Sequence, residues 1–426
     1  MTTTTDRMQT MNDPTAGNWA WKPQPEARRL IEELLLVFLD RCPGAARFGE
    51  CLVAETSTHI TDWVGVILTL DTPETRARLE TAGYKPRTTD FVDADIHYAF
   101  GNPAASTPDI LLTESDRMSV GLLVDSVADF FAATMFPGVD QIQGEPFARA
   151  RWAQAIEGDR AAMWVFERHG YDGFHLNFEI AEHRIAAMHH LERFRARTRT
   201  GDQASAFEQL DRAVHAAADE LGSEWAADLF MQAEREFFYR NHPAANRQLQ
   251  RQCALGLGAA NTDHVVYAAG SAGFHGATDI FATLGFEQRE TFKVGAQDTA
   301  HVFEQPISGD TVVIVSGESP SAACAWSRLL GDSLFASGPA GLALRSDSDS
   351  LTDSLGVDQS GKATAGLAFP KDRIESGPSD SGIDSSVAQS LRDGDPIGPV
   401  VSLIPRRDAS RALDTETIAW RVPGSA

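Results

Sequence analysis

Apolar positions along the chain keep two different rhythms. After Pro25, Leu30, Ile31, Leu34, Val37 and Phe38 recur at three-to-four spacing, which predicts a helix that Pro43-Gly44 ends. From about 60 to 170 the apolar runs shorten to strand length. WVGVILTL (63–70) predicts a buried strand and TPETRARLETAG (72–83) a short helix closed at Gly83. YKPRTTDF, DADIHYAF and PDILLTES predict three strands, giving β-α-β-β-β. A second unit follows: SVGLLVDS as strand, VADFFAATMF as helix, and strands ending in AAMWVFERHG (161–170).

Residues 178–250 return to helical spacing. Phe207, Leu210, Val214 and Leu221 keep one stripe, and Trp225, Leu229, Ala233 and Phe237 keep another. Pro243, after His242, is expected to end the run. Over 262–318 the first pattern recurs, and it recurs in detail. TDHVVYAAG matches TDWVGVILTL, IFATLGFEQRET matches RLETAGYKPRTT, AHVFEQP matches DIHYAFGNP, and VSGES matches LLTES.

The ends differ in kind. Residues 1–18 are polar and predict disorder. Ser, Asp, Gly and Pro make up more than half of residues 331–400. Such a stretch buries too little apolar area to offset its ordering entropy. IGPVVSLIP (397–405) predicts an isolated strand or a docking peptide. The organisation is therefore 1–18 disordered, 19–60 helical, 61–175 paired units, 176–255 helical, 256–330 a third unit, and 331–426 a largely disordered tail. The ordered body is expected to end near 330, with all the chemistry before it. The fold class is α+β, with repeated βαβββ modules forming a cupped mixed sheet.

The formal charge is −23, from 37 basic and 60 acidic residues. This excess points away from nucleic acid and from anionic membranes. No apolar stretch reaches the length of a membrane span, and the polar start lacks a signal peptide, so a cytoplasmic location is expected. Cys42, Cys51, Cys253 and Cys324 form no CxxC pair and are expected to be small buried hydrophobes.

Several clusters invite chemistry. FHLNFEIAEHRIAAMHHLERF (174–194) holds His175, His183, His189 and His190, but HExxH is absent. Ile185, Met188, Leu191 and Phe194 there predict a core stripe and a structural helix. EREFFYRNHPAANRQLQRQ (234–252) gathers Arg235, Arg240, Arg247 and Arg251, and Arg forks suit carboxylates. GLGAAN (256–261) is too short for a phosphate-binding loop, and SGESPSAA has no nucleophile elbow.

Paired βαβββ units, with Asp263-His264 opening a strand and Leu284-Gly285-Phe286 closing the following helix, resemble the vicinal oxygen chelate superfamily. The interposed helices and late third unit look most like its 2-oxoadipate dioxygenase/decarboxylase branch. The resemblance implies inward metal ligands, two His with one or two Glu, around Fe(II) first, or Mn(II), Ni(II) or Zn(II). Carried over, it makes His264 the first-strand ligand and Glu304 or Glu318 the late-strand one. Glu304 is preferred, because a carboxylate in an apolar strand needs a partner. His169 supplies a third ligand, with Glu167 in reserve on the same strand face. The position matching His264 in the first unit falls in Trp63-Val64-Gly65-Val66, which contains no histidine.

Two readings follow. One is a metal-dependent enzyme, a dioxygenase/decarboxylase or isomerase, acting on a small oxo acid or vicinal-oxygen compound, with Arg240 or Arg247 on a distal carboxylate. The other is a non-catalytic binding protein of the same fold that has lost a complete metal site. The odd third unit finds its partner within the chain or across a homodimer.

Overall fold

The computed structural model describes residues 25–56, 58–88, 96–103, 107–173, 180–198, 203–241, 243–269, 271–294, 298–316 and 400–405. The order begins with α1 (Pro25–Arg41), α2 (Pro43–Thr56), β1 (Val64–Leu70), α3 (Pro73–Thr81), β2 (Lys85–Arg87), β3 (Ile96–Gly101) and β4 (Asp109–Thr113). The second unit is β5 (Met118–Leu123), α4 (Val127–Thr134), β6 (Ala150–Gly158) and β7 (Ala161–Arg168). The helical region is α5 (Ala181–Arg195), α6 (Gln203–Leu221), α7 (Ser223–Asn241) and α8 (Pro243–Ala254). The third unit is β8 (Thr262–Ala269), α9 (Ser271–Thr283), β9 (Glu287–Val294), β10 (Asp298–Glu304) and β11 (Thr311–Ser316), and β12 (Val400–Pro405) follows. The fold is thus α+β, with mixed sheets and repeated βα units, as the rhythms predict.

Proline opens helices here rather than closing them. Pro43 and Pro243 are the first residues of α2 and α8. The ring lacks an N–H, but the first turn has no intrahelical partner for one. The expected stops are therefore junctions between successive helices. Helix phase also differs in detail. In α1, Leu35 is buried and Val37 is exposed; in α5, Ala186, Ala187 and His190 are buried, while Ile185 and Met188 face out. His190 Nε2 meets Glu220 at 2.8 Å, a structural contact for a core-facing ring.

The first sheet runs β2-β3-β4-β1-β5-β7-β6. Its centre is an antiparallel pair, with Ile67 opposite Val120. Each central strand has a parallel outer neighbour, β4 beside β1 and β7 beside β5. The two units are therefore related by a local twofold. The second is a strand short, with the Gln143–Trp152 bridge in the corresponding stretch.

The second sheet runs β12-β8-β11-β10-β9. Strand β8 lies parallel to β11 as β1 lies to β4. Strand β12 lies antiparallel to β8, with Leu403 opposite Val265. It occupies the place that β5 holds beside β1. Ordered structure thus extends past the expected end near 330, and IGPVVSLIP contributes an edge strand to the third unit.

One core lies between the first sheet and α1–α4, around Phe38, Trp63 and Phe130. Trp63, at the position without a histidine, is fully buried and donates from Nε1 to Thr58 Oγ1 at 3.0 Å. The other core joins the helical region to the third unit through Phe194, Phe230, Tyr267 and Phe281. Among the described residues, no helix is long and apolar enough to cross a membrane. Cys42 is buried, Cys51 half-buried and Cys253 exposed, all as free thiols.

Removing β12 opens the β8 edge. Deleting 400–405 from the full chain is expected to speed amide exchange at Val265–Ala268 while leaving β1 and β5 unchanged. Unchanged exchange in β8 shows that β12 does not protect that edge.

Candidate functional site

Helix α7 carries polar residues where its apolar stripe predicts none. Asp228, Gln232, Arg235 and Tyr239 are spaced four, three and four apart, so they share one face. All four line a cavity of about 760 Å³. The ends of β5 and β7 border it, and so does the near side of the third unit, through Thr262, Glu304 and Asp310.

His169 lies just past the end of β7. Its backbone N–H donates to Arg149 O at 2.7 Å, and its Nδ1 meets Asp228 Oδ2 at 2.8 Å. The carboxylate places the neutral ring's proton on Nδ1. Nε2 has no hydrogen-bond partner, and the residue lines the cavity. Burial alone lowers the pKa of this ring. Asp228 outweighs that, with Glu167 and Asp125 behind it, and raises the pKa to about 8.

Asp125 lies two residues past the end of β5. One oxygen, Oδ2, accepts from Ala259 N at 2.6 Å. The rest of the carboxylate is open to the cavity. This approach explains GLGAAN. Gly258 is left-handed (φ +66°), and a Cβ there would collide with the Asp125 carboxylate. Gly256 (φ +72°) packs against the backbone of Phe130 in the same way. The glycines bring a loop against an acid rather than a phosphate. Burial raises the pKa of Asp125, against the Ala259 N–H, which lowers it. Arg235 Nη1 meets Asp310 Oδ1 at 3.3 Å, and Ser308 Oγ donates to Asp310 Oδ2 at 2.7 Å. Burial pushes Asp310 upward too, with Arg235 opposing.

The residues picked from sequence divide. His169 and Glu304 both line the cavity. Glu304 is held by Arg289, with Nε 2.9 Å from Oε2, and burial raises its pKa against that cation. Register pairs Glu304 with Thr311, and Thr311 with His264, so positions 304 and 264 lie in one row two strands apart. The side chains of His264 and Arg247, and all of Glu318, lie outside the described residues.

Glu167 does not share the cavity with His169. Its Oε2 accepts from Val127 N at 2.7 Å, at the first turn of α4, and its Oε1 from Arg151 Nη1 at 2.9 Å. Strand alternation does not carry from 167 to 169, because β7 ends at Arg168 and Gly170 turns left-handed (φ +59°). Arg240 is exposed on α7, pairs with Glu236 at 3.2 Å, and does not line the cavity.

Sequence reasoning missed Asp125, Asp228, Tyr239 and Asp310. The available signal for two of them was the polar spacing of α7. Among the described residues, no three His, Cys, Asp or Glu side chains are arranged to hold a metal ion. Glu304 and Glu167 each have an Arg partner, whereas His169 keeps Nε2 open while Nδ1 meets Asp228, a pairing that a metal-bound ring also makes.

No family model matches the chain, and no curated protein matches it. Among solved structures it is similar to two point mutants of glyoxalase I from Zea mays. With the first the identity is 11% and the TM-score 0.19, covering 60% of this chain and 67% of that one. With the second the values are 10% and 0.19, covering 60% and 68%. At these values the likeness adds nothing to the strand order already described.

Replacing Glu167 with Ala leaves Val127 N without its acceptor and the half-buried Arg151 with only the Gly144 carbonyl. Chemical denaturation is expected to show a loss of about 3–5 kcal/mol. A loss below about 1 kcal/mol contradicts the anchoring role. The raised pKa of His169 sets the sign of a pH effect. Its stabilising contribution is full below about 6.5 and is lost as pH rises through about 8. An NMR titration is expected to place its midpoint near 8, and Asp228→Asn is expected to bring it below 6.5. A midpoint that Asp228→Asn leaves in place refutes the pairing.

Proposed function

We propose that the chain is an enzyme of vicinal-oxygen-chelate type that takes a small oxo acid or vicinal-oxygen compound into this cavity and moves a proton with His169. The observation that carries the reading is an imidazole oriented by Asp228, with Nε2 open to the cavity. A general acid-base group works best with a pKa near the working pH, and a value of about 8 leaves both forms populated near neutrality. Neutral Nε2 accepts a proton from carbon beside the substrate carbonyl. The electron pair left behind moves onto the carbonyl oxygen, and the imidazolium, stabilised by Asp228, returns the proton to that oxygen, giving the enol tautomer. The reaction class is isomerisation by proton transfer.

A second reading keeps a divalent metal, Fe(II) first among those the resemblance implies. One observation favours it, the single row shared by positions 264 and 304. Two strands separate these backbones by about 10 Å, a span that two side chains reaching one ion can close. Glu304 is held by Arg289 and would have to exchange that partner for the ion.

The two readings separate on elemental analysis and exchange. The first predicts that His169→Gln abolishes solvent-deuterium exchange into a bound oxo acid while the fold and metal content stay unchanged. Exchange that persists in His169→Gln removes His169 from the chemistry. The second predicts stoichiometric metal after anaerobic Fe(II) reconstitution, lost in His264→Ala. Its absence leaves the first reading alone.

A further inference from the structure

We infer that the ligand of this cavity carries a cationic amine, bound between Asp125 and Tyr239. The inference rests on the reading of the cavity as a substrate site, and adds the substrate's charge class.

The charges that line the cavity do not balance. Among the described residues that line the cavity, eight are Asp or Glu and five are Lys or Arg, so carboxylates outnumber cations even with His169 protonated. Glu304 and Arg289 satisfy each other and change nothing in that sum. Arg235 is committed to Asp310, and His169 to Asp228. Asp125 is left without an ion pair among the described residues, with Arg235 and His169 acting on it only through space. It has one backbone N–H on Oδ2, and its remaining acceptor capacity faces the cavity.

Tyr239 supplies an independent observation. Its side chain lines the cavity, it is 2% exposed, and among the described residues its hydroxyl oxygen accepts no hydrogen bond. The neighbouring Thr262 hydroxyl donates to Ala259 O at 2.7 Å and can accept the Tyr239 proton, which leaves the phenol oxygen's lone pairs for another donor. A buried phenol oxygen that accepts no hydrogen bond costs free energy that a bound donor recovers. An ammonium offers three donors and a positive charge, which answers both Asp125 and Tyr239. A plain dicarboxylate answers neither, and it meets a lining already in excess of negative charge.

The test uses a matched pair of oxo acids, aminolevulinate and levulinate, which differ by the ammonium group. Calorimetry on the full chain gives affinity, and the His169 ring signals report occupancy of the cavity. Aminolevulinate is expected to bind at least tenfold more tightly. That preference should vanish in Asp125→Asn and shrink in Tyr239→Phe, a variant that removes only a hydroxyl and so guards against misfolding at Asp125. Equal or tighter binding of levulinate, with His169 signals shifted, overturns the amine and leaves the substrate site standing. If neither compound shifts the His169 signals, both the amine and the substrate-site reading fall.

Discussion

The contact between Asp228 and His169 ties the site to the fold. It joins α7 of the helical region to the end of β7 in the first sheet, across 2.8 Å. An Asp whose side chain is 12% exposed, opposite a ring 21% exposed, is stable only if each supplies what the other lost from water. The same pairing fixes which ring nitrogen carries the proton. One interaction therefore positions the helical region and prepares a proton acceptor.

The surrounding charges follow from that placement. Once α7 presents Asp228 and Arg235 to the cavity, Arg235 needs Asp310 and Asp125 needs the Gly258 loop. The glycines at 256 and 258 permit the loop to close on β5 and α4. Gln252 of α8 braces the loop by donating to Gly258 O at 2.7 Å. Structural and chemical roles are shared among the same few residues.

Much of the fold is legible in the sequence. Strand-length apolar runs and the repeat at 262–318 reveal the βα units, because buried strands and short helices have distinct periods. Pro43 and Pro243 mislead, since sequence alone does not tell a helix stop from a first turn. The edge strand at Val400–Pro405 is visible as an apolar run without a partner, and its pairing with β8 is non-local. His169 and Glu304 are legible as polar residues at the ends of apolar strands. Glu167 shows why the rest is not: its partners, Val127 and Arg151, are distant in sequence, and the end of β7 breaks the alternation that linked it to His169. Asp125 is hidden because nothing local marks a carboxylate whose neighbour is a loop more than a hundred residues later.

The most direct measurement is the tautomer of His169 in its neutral form. Long-range nitrogen–proton NMR correlations, recorded well above its midpoint of about 8, report which ring nitrogen is protonated. The proton on Nδ1, shared with Asp228, and a bare Nε2 is the result that an oriented acid-base group requires. A neutral ring protonated at Nε2 contradicts it, because no proton acceptor then faces the cavity.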